Sequence, residues 1–182
     1  MRNSIGLVEF KSISKGIETA DGMMKSAGIE LLQATPFCPG KYVVLIGGEL
    51  SAVNSAVDYA KQVVADNIID SFVIGNVSQQ VFPALTATTE IRNKNALGII
   101  ETFTVASAIE GADLAVKAAV VDLIEIRLAR GMGGKCIALM TGGVADVTAA
   151  VEAGAKKVEE QGLLVNKIVI ANPHKDLWEK II

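Results

Sequence analysis

The sequence contains the same segment twice, and this internal repeat constrains the fold more than any other feature. Shifted by 92 residues, the block IGLVEFKSISKGIETADGMMKSAGIELL at 5–32 aligns with LGIIETFTVASAIEGADLAVKAAVVDLI at 97–124. Two further blocks follow in the same order: residues 40–57 align with 134–151, and residues 73–82 align with 169–178. Three matching blocks in order predict two copies of one folding unit.

Each half shows strand and helix patterns in the order β-α-β-β-α-β-α. Apolar runs and helical spacing predict the elements of the first half: strands over 5–10, 29–37, 41–47 and 71–75, and helices over 14–27, 51–65 and 79–85. Ser51 is placed to cap the second helix. The order resembles the split β-α-β plan. We therefore predict an α/β (α+β) fold with domains at 1–88 and 96–182 and a linker at 89–95, within the polar stretch TATTEIRNKN.

The composition of the 182-residue chain excludes several classes of protein. Hydrophobic residues make up 51% and aromatic residues only 4%, with a mean hydropathy of +0.42. No apolar run is long enough for a membrane span, and residues 1–12 lack the apolar core of a signal peptide. The net charge of −3 and the lack of a basic cluster argue against nucleic-acid binding.

Two cysteines are too few for a disulfide framework, so reduced thiols in a cytoplasm are expected. Two small domains rich in short aliphatic side chains also predict that further apolar faces are buried between chains. Because the two halves are similar but not identical, a ring of three such chains would have exact threefold symmetry and an approximately sixfold shape.

The repeated segments resemble the bacterial microcompartment shell domain. The similarity rests on IGLVEF…DGMMKSAGIELL…GG…AV and on its second copy LGIIET…ADLAVKAAVVDLI…GG…AV, so it covers nearly the whole chain without circular permutation. The loops TPFCPGK (35–41) and GMGGK (131–135) resemble those of tandem shell proteins of the propanediol-utilisation type. This resemblance implies a homotrimer shaped like a hexagonal tile, which packs edge to edge with other shell proteins around cytoplasmic enzymes.

The resemblance also implies a cofactor on the threefold axis. Cys38 of each of three chains would hold a single [4Fe-4S] cluster, one per trimer, with its fourth iron open, and Pro39 and Gly40 would shape the turn. Backbone N–H groups of this turn are expected to hydrogen-bond the cluster sulfurs. The implied role is electron passage across the shell or cluster supply to enclosed redox enzymes. The pore rim would be formed by Phe37, Gly131, Met132 and Gly133. Without the family, a single thiol in a turn is usually only a thiol, because one ligand cannot hold a cluster. Within the family, the alternative to the cluster is a pore rimmed by three reduced thiols.

The same resemblance assigns residues to the tile edge, where neighbouring tiles meet. The residues are Lys25 and Lys117 at matched helix ends, and Asn76, Asn172 and His174 in two turns. These turns lack the arginines that the family carries there, so the resemblance does not specify which contacts the turns make at the tile edge. Without the family, the lysines are solvated charges and His174 is a surface residue.

The remaining motifs do not support catalysis, and we predict that the chain is not an enzyme. Cys136 is expected to be a buried structural thiol, because its counterpart in the first half is Tyr42. The glycine-rich segment GMGG at 131–134 matches neither a dinucleotide fingerprint nor a P-loop. Two alternatives stay open: a cluster-free tile whose pore passes a metabolite, and a soluble tandem α/β protein that binds a ligand between its halves.

Overall fold

The computed structural model describes residues 4–91 and 94–181. The chain divides into two compact units: unit 1 contains Met1–Val77 and Ala129–Gly134, and unit 2 contains Ser78–Leu128 and Lys135–Ile182. The segment that follows the first repeat thus belongs to unit 2, and the loop 129–134 belongs to unit 1. The domain boundaries at residues 88 and 96 mark the repeat in the sequence and stay a prediction.

Unit 1 is a four-stranded antiparallel sheet with two helices. Its elements are β1 (Ser4–Phe10), α1 (Ile13–Ser26), β2 (Glu30–Phe37), β3 (Lys41–Gly48), α2 (Leu50–Val64) and β4 (Ile68–Ile74). The strands lie in the order β2-β3-β1-β4, so β2 and β4 are the edges. Both helices pack against the sheet and against each other around a core that includes Phe10, Met23 and Ile46.

Unit 2 repeats this arrangement and adds two short helices. Its elements are α3 (Val81–Leu85), β5 (Ala96–Thr102), α4 (Val105–Ala118), β6 (Val121–Arg127), β7 (Cys136–Gly142), α5 (Val144–Glu160), β8 (Leu164–Ile170) and α6 (Lys175–Ile181). The sheet order is β6-β7-β5-β8. No helix in the described part of the chain is long and apolar enough to span a membrane.

The strand register confirms that both repeats have the same fold. β1 is irregular between Glu9 and Phe10, and β5 is irregular between Glu101 and Thr102, at the matching place. The edge strands β2 and β6 show a shift at equivalent positions as well. The predicted mixed α/β fold with two tandem domains is therefore confirmed.

The structure differs from the sequence prediction by one residue at the starts of β1, α1, β2 and α2, and by two or three residues at those of α3 and β4. The helix α2 begins at Leu50 with Glu49 as its N-cap, and no side chain caps it, so the prediction that Ser51 is the cap is wrong. Ser51 lies inside the first turn, where its carbonyl accepts a hydrogen bond from the Ser55 hydroxyl. β4 begins at Ile68, three residues before the prediction, and α3 begins at Val81, two residues after it.

Each central strand approaches its second helix at a glycine. A Cβ on Gly98 of β5 would lie 2.7 Å from Val147 and 2.8 Å from Val151 of α5. Gly6 of β1 meets Val53 and Val57 of α2 in the same way. Only a glycine fits here, because a packed interior has no space for another methyl group.

We expect Gly98→Ala to lower the free energy of unfolding by about 1–3 kcal/mol, because the added methyl overpacks the joint between β5 and α5. Gly28→Ala is the matched control, since a Cβ there would meet nothing within 4 Å. Chemical denaturation of both variants measures the difference. Equal stability of the two variants would contradict this account of the joint.

Candidate functional site

The turn between β2 and β3 presents Cys38 at its tip. The thiol is half-buried, and the Cys38–Pro39 peptide bond is cis. Gly40 has a φ of +97°, a region that favours glycine, and its N–H donates to the Phe37 carbonyl at 2.9 Å. The turn is therefore tight. Phe37, at the end of β2, is buried, and Pro39, which follows Cys38, is exposed.

The loop 129–134 holds this turn from its other side within unit 1. The Cys38 N–H donates to the Ala129 carbonyl at 3.1 Å. The Arg130 guanidinium lies 5.4 Å from the centre of the Phe37 ring, a cation–π contact. Gly134 comes so close that a Cβ on it would lie 3.1 Å from the Cys38 carbonyl oxygen. Three contacts therefore fix the backbone on both sides of the sulfur.

These contacts bear on two expectations from the sequence. The backbone N–H groups of Cys38 and Gly40 are both used inside the protein, and Pro39 has none, so this turn offers none to a ligand. Phe37, expected at the pore rim, is only 4% exposed. Its ring is covered by Arg130, so the exposed side chain at this position is that of Arg130.

The other residues predicted for the rim lie in the loop 129–134. Gly131 and Gly133 are exposed, with φ of +72° and +61°, and Met132 is half-buried. Both glycines adopt the left-handed conformation that side chains disfavour. The sequence thus placed glycine where the backbone of this loop requires it.

A buried ion pair supports the base of the Cys38 turn, and the sequence analysis missed it. Lys41, the first residue of β3, places its Nζ 2.8 Å from an Oε atom of Glu9, whose side chain is fully buried. The equivalent pair in unit 2 joins Lys135 to Glu101 at 2.8 Å. The signal was in the repeat, since the glutamate and the lysine each recur at matched positions.

The second cysteine does not take part in this site. Cys136 is completely buried at the start of β7, which confirms the prediction of a structural thiol. Among the described residues, no group of three or more histidine, cysteine, aspartate or glutamate side chains is arranged to hold a metal ion. Cys38 is therefore the more accessible of the two cysteines.

The residues predicted for the tile edge lie at several places. Lys25 is exposed and pairs with Asp21 at 2.6 Å on α1. Lys117 pairs with Asp113 on α4, and that carboxylate is almost completely buried. Asn76 is exposed. Asn172 and the exposed His174 border an open cavity of about 580 Å³, together with Lys94 and Trp178.

Comparisons with known proteins agree with this architecture. The bacterial microcompartment shell protein PduT of Citrobacter freundii is 39% identical over 182 residues, covering 100% of this chain and 99% of that protein. The shell protein EutM of Escherichia coli is 44% identical over 84 residues, 46% of this chain and 84% of its own length. A crystal structure of a microcompartment protein from Desulfitobacterium hafniense DCB has a TM-score of 0.88 and 49% identity, and covers 98% of this chain and 99% of that one.

The model of the BMC domain matches this chain twice, at residues 4–77 and 96–173. The relatives are named as shell proteins, in agreement with the prediction that the chain is not an enzyme. The chain belongs to the BMC-domain family, and it is a structural shell protein of bacterial microcompartments with two tandem BMC domains.

Proposed function

We propose that the chain forms a homotrimeric shell tile that holds one [4Fe-4S] cluster at its threefold axis and passes electrons across the shell. The observation that carries the proposal is the placement of Cys38. Cys38 is the more accessible of the two cysteines, and it stands at the tip of a turn whose backbone is held by the loop 129–134.

The donor set of one chain does not fit a cluster, whereas three chains together would supply three of the four usual ligands. Iron–sulfur clusters are usually held by four cysteine thiolates. One chain offers Cys38 alone, since Cys136 is buried within β7. Three copies around an axis would supply three thiolates and leave the fourth iron to an exogenous ligand. Formation of the site would then require assembly of the trimer.

The residues around Cys38 would orient the thiolate rather than ligate iron. Pro39 restricts the backbone after the sulfur, and the hydrogen bond from Cys38 to Ala129 fixes the backbone before it. The buried pair between Glu9 and Lys41 supports the strand that leaves the turn. When bound, such a cluster supplies one-electron transfer, with a potential set by its surroundings.

The proposed partners follow from the family and from the surface. The relatives are shell proteins, and we propose that this chain packs edge to edge with other shell proteins through the region of Lys25, Lys117, Asn76, Asn172 and His174. Enclosed redox enzymes would be the donors or acceptors of the electrons. A tile with an empty pore that passes a small metabolite is the competing function, and the experiment below separates the two.

We expect protein purified without oxygen to be brown and to contain about four iron and four sulfide per three chains. Cys38→Ser should abolish the colour and the iron, because each chain then loses its only exposed thiolate. Cys136→Ser is the matched control and should keep both. Iron and acid-labile sulfide analysis, with native mass spectrometry for the trimer, makes the measurement.

A trimer that stays colourless after chemical reconstitution would favour the cluster-free tile. Iron that survives in Cys38→Ser at the wild-type ratio would overturn the assignment of the ligand. Both results are read against the mass of the assembly, so loss of the trimer is distinguished from loss of the site.

We expect Gly134→Ala to disturb the Cys38 turn more than Gly133→Ala. Both positions have positive φ, of +88° and +61°, so both variants should lose about 1–2 kcal/mol from backbone strain. Only at Gly134 would the new Cβ also meet the Cys38 carbonyl oxygen and Pro39, both at 3.1 Å. The rate of Cys38 modification by a thiol reagent should therefore change in Gly134→Ala alone. Equal rates in both variants would argue against a contact between the loops.

A further inference from the structure

Unit 2 contains an open cavity of about 580 Å³ at the end of the sheet where β5 begins and β8 ends. These strands pair antiparallel, with Leu97 opposite Ile170, so the residues just before β5 and just after β8 meet there. The helix α6 contributes the rest of the lining. The polar and charged residues of the lining are Lys94, Asn95, Asn172, His174, Lys175 and Glu179.

Two buried residues hold the wall of this cavity in place. Pro173 is buried, and the Trp178 side chain packs with Leu97 and Ile124 in a core cluster of the unit. The backbone N–H of Trp178 donates to the His174 carbonyl at 3.3 Å. The backbone that carries the lining is therefore fixed before any ligand binds, which lowers the entropic cost of binding.

The indole N–H of Trp178 is a hydrogen-bond donor that the fold does not use. Trp178 is 5% exposed and lines the cavity. Within residues 4–91 and 94–181, no acceptor receives a hydrogen bond from this N–H, and the N–H is not among the side-chain atoms closed off from solvent. Because a buried tryptophan N–H usually has a partner, this one is available to a ligand in the cavity.

The lining also provides unpaired positive charge. Lys94 and Lys175 are exposed, and neither forms an ion pair with any carboxylate that the structure describes. The Nδ1 atom of His174 accepts the Asp176 N–H at 3.3 Å, so the proton of the neutral ring is on Nε2, a further donor. Glu179 is the one carboxylate in the described lining, and two ammonium groups outweigh it.

The first repeat shows that the fold does not require these residues. Its counterparts of His174, Lys175 and Trp178 are Ser78, Gln79 and Phe82. There the segment has a structural role: the Ser78 N–H donates to the buried Asp113 carboxylate at 2.7 Å, and the Gln80 side chain bonds to β6. The second copy thus carries a lysine, a histidine and an indole N–H that the shared architecture leaves free.

We propose that this cavity binds a small organic phosphate monoester. A phosphate monoester carries a charge of about −1.5 to −2 and three acceptor oxygens, which match two ammonium groups and the indole N–H. A carboxylate has a single charge and two oxygens, so it matches the set less well. The cavity volume lies within the range of small-molecule sites, and the Asn95 and Asn172 amides can bind the organic part.

The chain has one tryptophan and one histidine, so both report on this cavity without ambiguity. We expect the Trp178 indole signal and the His174 ring signals in heteronuclear NMR to shift saturably with inorganic phosphate and with glycerophosphate. Acetate should bind about 10-fold more weakly, because it carries less charge. Glycerol should leave the signals unchanged. Acetate that binds as tightly as phosphate, or phosphate that shifts neither signal, would overturn the proposal.

Charge substitutions test the lining by isothermal titration calorimetry with glycerophosphate. Lys94→Gln and Lys175→Gln should each raise the dissociation constant about 5-fold, the effect of one exposed charge. Glu179→Gln should lower it by a similar factor, because it removes a repulsive carboxylate. Lys156→Gln is the matched control: this exposed lysine of α5 lies in the same unit, and its loss changes the net charge equally. Its dissociation constant should equal that of the wild type.

Trp178→Phe removes the indole N–H and keeps an aromatic ring, as Phe82 does in the first repeat. We expect the dissociation constant to rise about 10-fold, because a hydrogen bond to a charged group is lost. Thermal melting by circular dichroism shows that the variant is folded, and the His174 signals still report on binding. Affinity that stays at the wild-type value in Trp178→Phe and in both lysine variants would place the phosphate elsewhere and overturn the site.

This inference does not depend on the proposed cluster. The cavity is formed by residues of unit 2, whereas Cys38 belongs to unit 1. Cys38→Ser should therefore bind glycerophosphate as the wild type does, whether or not the wild-type protein contains iron. A loss of phosphate binding in Cys38→Ser, with the fold intact, would contradict the assignment to this cavity.

Discussion

The burial of one face of α4 under the segment 78–85 is the contact on which the packing of unit 2 depends. This face contains Asp113, a carboxylate that can be buried only because Lys117 and the Ser78 N–H both pair with it. The same segment closes the β6 edge through Gln80. Edge strands left open invite uncontrolled pairing, so one segment meets two requirements of the fold.

The turns that follow β2 and β6 differ in sequence, but the same kind of ion pair lies at the base of each. Both turns lead into a lysine paired with a glutamate of the central strand, Lys41 with Glu9 and Lys135 with Glu101. Above this shared base, one turn carries Cys38 and the other carries glycines. Gly134 permits the close approach that places the Ala129 carbonyl on the Cys38 N–H. On the proposed function, one copy of the turn provides the ligand and the other provides its support.

The sequence predicted the repeat, the order of strands and helices along the chain, and the turn that carries Cys38. These depend on local patterns, and the patterns of strands and helices occur in each repeat independently. It did not predict the start of α2 at Leu50, because serine is a preferred capping residue and glutamate is not, and the Glu49 side chain makes no capping hydrogen bond. It also missed the use of the Cys38 N–H by Ala129 and the covering of Phe37 by Arg130. These contacts join residues more than ninety positions apart, and no periodicity reports them.

We expect each chain of the proposed tile to fold before the chains assemble. The segment 78–85 is tethered to its site, so it acts at an effective concentration far above that of free chains. Contacts between copies, by contrast, depend on the concentration of free chains. Each chain would therefore complete its own fold before rings close. Because three Cys38 thiolates meet only in a closed ring, cluster binding would follow assembly, and cluster content would report the fraction of chains in rings.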